Sequence, residues 1–174
     1  LALAYVGAAV IVLSPFIAPG KPLMSNYVPV IESTFFFSGL IIFSVGIAVL
    51  LLRSLIAVPA PGQWRGGEGS IRIGFYSASI STVFALISFG WSYGIIPNDF
   101  EITEYYDLLF WGGGHVLQFT YSLLMLAGWL WLADACGANI PLSPRIASFL
   151  LLLGLIPVFY APVIYLSYGD NLGN

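Results

Sequence analysis

Charged residues are scarce in this sequence. Only 7% of its 174 residues are Asp, Glu, Lys or Arg, whereas 59% are hydrophobic. An ordinary soluble domain carries roughly 25% charged residues, so the charged side chains here are too few to cover a surface that faces water. Because a lipid bilayer removes that requirement, the composition predicts an integral membrane protein with almost no soluble domain.

Cations, cysteine and histidine are also scarce, and each shortage excludes a class of function. Five Lys and Arg residues stand against eight Asp and Glu residues and form no cluster, so the chain lacks the basic surface that binds nucleic acid. The single cysteine, Cys136, excludes an internal disulfide. With one histidine and two methionines besides, the chain cannot build a complete structural metal site. Any bound metal therefore needs ligands from elsewhere.

Five apolar stretches are long enough to be membrane spans, since about 20 helical residues cross a hydrocarbon core of about 30 Å. They cover residues 1–18, 31–58, 71–96, 105–133 and 143–168. Ser143 and Pro144 form a helix start signal, and Glu32 lies where a carboxylate would favour the dipole of the second span. The pattern predicts an all-α fold, a polytopic transmembrane helical bundle of about five helices in a single membrane domain.

The chain begins inside an apolar run at Leu1 and ends in a polar stretch directly after the fifth span. No basic segment precedes the first run, as a signal peptide would require. We therefore expect the chain to be a fragment of a larger bundle.

The positions of the cations indicate an orientation. Four of the five flank two connections, those between spans two and three and between spans four and five: Arg53, Arg65, Arg72 and Arg145. The loop at residues 97–105 is acidic and contains no cation, and Lys21 is the exception to the pattern. Since cytoplasmic loops carry the excess of Lys and Arg, the chain is predicted to start inside and end outside a bacterial-type inner (cytoplasmic) membrane.

His115 is the residue with the clearest site chemistry. It follows Trp111 and three glycines, and it lies about 12 Å along the helix from Asp107. An ionisable group at that depth costs a few kcal/mol unless it is paired. Three glycines each cost about 1 kcal/mol of helix stability relative to Ala, so close approach of another helix or of a flat cofactor should compensate for them.

The face of the helix that carries His115 forms an aromatic and mildly polar stripe. Its members, three, four or seven positions away, are Leu108, Trp111, Gly112, Gln118, Phe119 and Ser122. A neutral histidine here can bind a metal through one ring nitrogen while the other nitrogen is oriented by a hydrogen bond. A buried histidine bonded to a neighbouring helix and a proton relay are the alternatives.

From Trp111 to Phe119 the sequence resembles the sixth transmembrane helix of haem-copper oxidase subunit I, in which Trp, Gly and His precede a short polar and aromatic run. In that family the histidine binds the copper of the oxygen-reducing centre. The five predicted spans are similar in order to helices three to seven of the family. Residues 26–29 then enter the fourth helix, and residues 141–145 open the seventh.

This resemblance implies a membrane subunit of a respiratory complex that passes electrons to a terminal acceptor such as oxygen, with haem and copper as cofactors. His115 is then the candidate copper ligand, and Trp111 and Gly112 are candidate cofactor contacts. The implied partners are the lipid bilayer, other oxidase subunits and an electron donor such as a cytochrome. Terminal oxidoreductase activity would belong only to the full-length protein.

Two positions depart from the family pattern. Residues 159–165 contain no histidine where the oxidases carry an adjacent pair, and Phe119 stands where many of them carry a redox tyrosine. The family's haem ligands lie on its second and tenth helices, beyond the matched region. A cofactor-free transporter or channel component and a structural helical subunit are the alternative functions.

Overall fold

The computed structural model describes residues 1–25, 28–57, 66–97 and 99–172. Within them lie the helices α1 (Ala2–Ile17), α2 (Thr34–Ala57), α3 (Gly66–Ile95), α4 (Ile102–Ala135), α5 (Pro144–Leu155) and α6 (Ala161–Leu172). A 3₁₀ turn at Ile156–Tyr160 joins the last two. The strands β1 (Lys21–Leu23) and β2 (Val30–Glu32) form an antiparallel pair between α1 and α2.

Four helical segments are long and apolar enough to cross a membrane: Thr34–Ile56, Glu68–Ile95, Ile102–Ala135 and Pro144–Ser167. The apolar helix α1 is shorter, because its 16 residues extend only about 24 Å at 1.5 Å per residue. The prediction of an all-α, polytopic transmembrane bundle is confirmed, with the first helix shorter than a full perpendicular span.

The helices α1 and α2 form an antiparallel pair in which the two backbones approach closely at glycines. A Cβ on Gly7 would overlap the backbone of Phe43, and a Cβ on Gly46 would overlap the backbone of Ala4. Gly39 also faces α1 closely. In a membrane the hydrophobic effect does not drive helices together, so small residues stabilise such pairs by permitting van der Waals contact between backbones.

The helix α3 lies at the centre of the other helices and contacts α2, α4, α5 and α6. Its buried face consists mainly of small residues: Ser70, Gly74, Ser77, Ala78, Ser81, Ala85, Ser88 and Ser92. The serines recur at intervals of seven and four residues, which places them on one side of the helix. This small face permits close packing, and a Cβ on Gly74 would lie 2.8 Å from Cβ of Ala127 in α4.

The second span begins later than predicted, because Val30–Glu32 form β2 and α2 starts at Thr34. Glu32 lies opposite Lys21 in the sheet, and the first turn of α2 contains no acidic residue. The predicted role of Glu32 at a helix start is therefore wrong. Consecutive β-branched residues favour an extended backbone here, and the opposite charges of Lys21 and Glu32 match across the two strands.

The fifth predicted span, residues 143–168, is not a single helix. Ser143 does cap its start, since Ser143 Oγ accepts a hydrogen bond from the Ile146 amide at 3.3 Å. The α-helical pattern then gives way to the 3₁₀ turn, within which Pro157 lies, while Pro162 follows at the start of α6. Proline lacks the backbone N–H, and its ring clashes with the carbonyl four residues earlier, which accounts for the break.

The third and fourth helices are longer than predicted. The helix α3 begins at Gly66 rather than at residue 71, and α4 runs over 102–135 rather than 105–133. The predicted features that fall on residues 26 and 27, on residue 58 at the end of the second span, on Arg65 and on residue 98 of the acidic loop lie outside the described residues.

Candidate functional site

The glycine run of α4 admits side chains from two neighbouring helices. A Cβ on Gly112 would overlap the hydroxyl of Tyr165 in α6, and a Cβ on Gly113 would overlap the ring of Phe89 in α3. The close approach predicted from the glycines is thus confirmed, with helix side chains as the partners. The space beside Gly112 is occupied by Tyr165, and the expected cofactor contact at Gly112 stays a prediction.

His115 is half-buried and lies one turn after Trp111 on α4. Its Nδ1 atom is 2.8 Å from the carbonyl oxygen of Trp111. Because a carbonyl oxygen only accepts hydrogen bonds, Nδ1 carries the proton and donates it. In a neutral imidazole with this tautomer, Nε2 carries the lone pair, as in a histidine that binds a metal through Nε2.

The Trp111 indole packs on the imidazole of His115. The two ring centroids are 4.6 Å apart, and the ring planes are inclined at 51°. Trp111 leaves 43% of its own surface exposed, so the Trp111 side of this ring pair lies at the surface of the described bundle. Trp111 and His115 are therefore brought together, as the sequence pattern predicts.

The side of α4 that carries His115 is largely uncovered by the other described helices. The exposed members of the predicted stripe are Leu108, Trp111, Gln118, Phe119 and Ser122, whereas Gly112 is buried. An exposed Gln118 amide would be costly against lipid hydrocarbon, where it finds no hydrogen-bond partner in the solvent. A further helix, another subunit or a cofactor on this face would remove that cost.

The described residues do not form a complete metal site. No group of three His, Cys, Asp or Glu side chains among them could hold a metal ion. The stretch at residues 159–165 instead contributes packing, because Phe159 makes an edge contact with Phe84 of α3 at 5.2 Å between ring centroids. His115 can supply one ligand, and the others would have to come from outside the described residues.

A hydroxyl network joins α3 to α4 beside the candidate site. Ser81 Oγ donates to the Val116 carbonyl oxygen at 3.2 Å and accepts from Thr120 Oγ1 at 3.0 Å. The network fixes the register of the two helices and hence the position of His115, the residue before Val116. Sequence reasoning does not single out these residues, although the recurrence of serine along α3 is a signal that could have indicated them.

The chain is similar in sequence to two longer proteins. It is 31% identical over 135 residues to an uncharacterized protein of Rickettsia prowazekii (strain Madrid E). The matched region covers 74% of this chain and 25% of that protein. It is 30% identical over 128 residues to an uncharacterized protein of Aquifex aeolicus (strain VF5), covering 73% of this chain and 32% of that protein. The chain thus spans about a quarter to a third of these relatives. No family model matches it, and no solved structure matches it.

Proposed function

We propose that the chain is part of a membrane subunit of a respiratory, haem-copper-oxidase-like complex that passes electrons to a terminal acceptor such as oxygen. In this proposal His115 supplies one copper ligand. Two observations support it: the pattern from Trp111 to Phe119, and the location of His115 on a face of α4 that the described helices leave largely uncovered.

The observation that carries the proposal is the hydrogen bond from Nδ1 of His115 to the Trp111 carbonyl oxygen. A metal-binding histidine commonly donates its second ring N–H to a carbonyl or carboxylate, which fixes the tautomer and the ring orientation. Both groups belong to one helix, so this orientation does not require any other element. The chain's own contribution is to hold Nε2 in a defined direction.

The cofactors fit this chain only in part. His115 would hold copper, and Trp111 would lie against the cofactors, which when bound supply electron transfer and oxygen binding. The remaining copper ligands and the haem ligands would come from other segments of the full-length protein. The two relatives, of which the chain covers a quarter to a third, do contain such additional length.

We further propose a bacterial-type inner membrane, with the start of the chain inside and its end outside. Arg53 near the end of α2, Arg72 near the start of α3 and Arg145 at the start of α5 lie at one end of the helical bundle, and Lys21 lies at the other. The end with the larger number of cations is assigned to the cytoplasm. Other oxidase subunits and a cytochrome donor are the proposed partners.

The experiment compares His115→Ala with Gln118→Ala in the full-length protein. His115→Ala should insert in the membrane but lose copper and alter the haem absorption spectrum. Gln118→Ala, exposed on the same face of α4, should keep both properties. Metal analysis and the Soret band are the measurements, and unchanged copper, spectrum and turnover in His115→Ala would contradict the ligand role. The 174-residue chain by itself should bind no copper tightly.

A structural helical subunit is the second candidate. It is favoured by the lack of a complete ligand set among the residues that the structure describes. The absorption spectrum of the full-length protein separates the two functions, because a structural subunit has no Soret band. In that case the hydrogen bond of His115 to Trp111 serves only to pair a half-buried polar group.

A further inference from the structure

A cavity of about 380 Å³ lies where α2, α3 and α4 meet, near the end of α2 and the start of α3. Its floor includes Leu51 and Thr120, which are 9% and 4% exposed, and its rim includes Phe75 and Leu124, which are 48% and 39% exposed. The cavity therefore opens on the outside of the described bundle. Leu124 comes about two and a half helical turns after His115, so this opening lies on the opposite side of α4 from the candidate metal ligand.

Arg72 is the only charged side chain in the described lining of this cavity. Its Nε and Nη2 atoms each donate a hydrogen bond to Oε1 of Glu68, one turn earlier on α3. A guanidinium has five N–H donors, so the ion pair leaves three of them unused. The two side chains are 47% and 74% exposed, and ion pairs as exposed as this one are weak. Glu68 therefore does not prevent Arg72 from binding a second anion at the mouth of the cavity.

Four hydroxyl groups in the lining have already donated their protons within the protein. Ser54, Ser79 and Thr82 each donate to the carbonyl oxygen one turn earlier in the same helix, and Thr120 donates to Ser81. Such bonds satisfy the hydroxyl proton without any ligand. These four side chains thus offer no unused donor, and the leucine and phenylalanine side chains around them are apolar. Beyond Arg72, the walls are suited to an alkyl chain.

The cavity has the depth of one leaflet of a bilayer. Arg72 lies about 6 Å along the helix from the start of the apolar segment Glu68–Ile95, which places its guanidinium near the membrane surface. From Arg72 to Thr82 the lining follows α3 for about 15 Å, which is half of a hydrocarbon core of about 30 Å. A ligand that fills this cavity therefore has an anionic group at the membrane surface and an apolar chain that extends toward the middle of the bilayer.

We propose that this cavity binds an anionic phospholipid, with the lipid phosphate at Arg72 and one acyl chain between α2 and α3. Basic pockets between transmembrane helices bind anionic lipid headgroups in this way, because the cation pairs with the phosphate while the chain stays in hydrocarbon. A free phosphate ion would leave the apolar part of the cavity empty, and a lipid without net charge would gain less from Arg72. The proposal does not depend on copper at His115 or on which side of the membrane the cavity faces.

The test titrates the delipidated full-length protein in a non-ionic detergent with dioleoyl phosphatidylglycerol and measures bound lipid by native mass spectrometry. Dioleoyl phosphatidylethanolamine, which has the same chains and no net charge, should bind several-fold more weakly. Arg72→Gln should weaken phosphatidylglycerol binding about fivefold, the contribution of one arginine near a membrane surface, and should abolish the preference between the two lipids. Glu68→Gln should strengthen phosphatidylglycerol binding, because it removes the carboxylate that competes for Arg72.

Two further variants separate the charge from the cavity. Arg53→Gln removes another exposed arginine near the same end of the bundle, outside the described lining, and should leave lipid binding unchanged. Ser79→Leu fills part of the cavity without a change of charge and should weaken the binding of both lipids.

Three results would overturn the proposal. Equal losses from Arg53→Gln and Arg72→Gln would show attraction to diffuse surface charge, and equal binding of the two lipids by the parent protein would show an acyl-chain groove without headgroup selection. Displacement of phosphatidylglycerol by millimolar inorganic phosphate would show an ion site only. Because none of these measurements involves copper, haem or turnover, a failure here is distinct from a failure of the proposed function.

Discussion

Two fully buried serines, one turn apart on α3, differ in their hydrogen bonding. Ser77 Oγ has no partner among the described residues, whereas Ser81 Oγ bonds to Val116 and Thr120. Ser77→Ala should therefore leave the melting temperature in nanodiscs unchanged or raise it. Ser81→Ala should lower stability by about 1 kcal/mol or less, the usual range for hydrogen bonds between membrane helices. Equal losses from both substitutions would mean that the hydroxyl network does not stabilise the helix pair.

Two glycines on α4 lie in opposite surroundings. A Cβ at Gly113 would overlap the ring of Phe89, whereas a Cβ at Gly128 would meet nothing within 4 Å. Gly113→Ala should cost about 1–3 kcal/mol from overpacking, more than the gain in helix propensity. Gly128→Ala should be neutral or stabilise the protein by up to about 1 kcal/mol. Thermal unfolding of the two variants measures the difference, and a stable Gly113→Ala would show that Phe89 moves aside freely.

The glycine run of α4 shows how much the sequence predicts about the surroundings of a single residue. Three glycines beside a histidine predict a close neighbour, because their cost to the helix requires compensation. The identity of the neighbours, Phe89 and Tyr165, depends on how α3 and α6 pack against α4. That information is tertiary, and no local pattern around Gly112 contains it.

The pairing of α1 with α2 is a property of whole elements, and it depends on their glycines. Gly46→Leu should separate the pair, because its new Cβ would overlap the backbone of Ala4, which cannot rotate away as a side chain could. The expected loss is about 1–3 kcal/mol or more. Val45→Leu is the control. Val45 is 47% exposed, and the close contact with α1 is made by the adjacent Gly46. In Gly46→Leu, limited proteolysis should cleave α1 faster and the melting temperature should fall. In Val45→Leu both should stay unchanged.

Hydropathy predicts the helices of this chain well and their interruptions poorly. Ile31 is apolar and continues into the second span, so a hydropathy criterion assigns it to the helix although it lies in β2. Pro157 and Pro162 lie in an equally apolar run, and only the missing N–H groups reveal the change to a 3₁₀ turn. Burial in lipid depends on apolar character, whereas helix continuity depends on backbone hydrogen bonds. The two properties need not end at the same residue.

The orientation of the whole molecule can be tested by labelling single cysteines in intact cells. Cys136 is exposed and must first be replaced by Ser. An impermeant thiol reagent should then label Asp99→Cys, on the acidic loop, and should label Asn139→Cys only after permeabilisation. Both positions are exposed in the structure, so accessibility within the protein is matched. The reverse labelling pattern would invert the proposed orientation.

For the molecule as a whole, sequence reasoning predicts the fold class and the order of the spans but only part of the candidate site. The scarcity of charge and the apolar runs define a membrane bundle directly. For the site, the pattern identifies His115 and its contact with Trp111. It cannot identify what covers them, because the exposed face of α4 has no partner among the described helices.

The α1–α2 pair is anchored to the rest of the molecule at the sheet. There Leu23 and Val30 pack with Phe110 of α4 in one buried cluster. At the opposite end, a cavity of about 380 Å³ lies between Leu51 of α2 and Phe75 of α3. The α1–α2 pair is therefore packed tightly against the rest of the molecule at the sheet and loosely at the opposite end. We expect the width of that gap to respond to the thickness and lateral pressure of the bilayer, which would give the surrounding lipid a mechanical influence on α3.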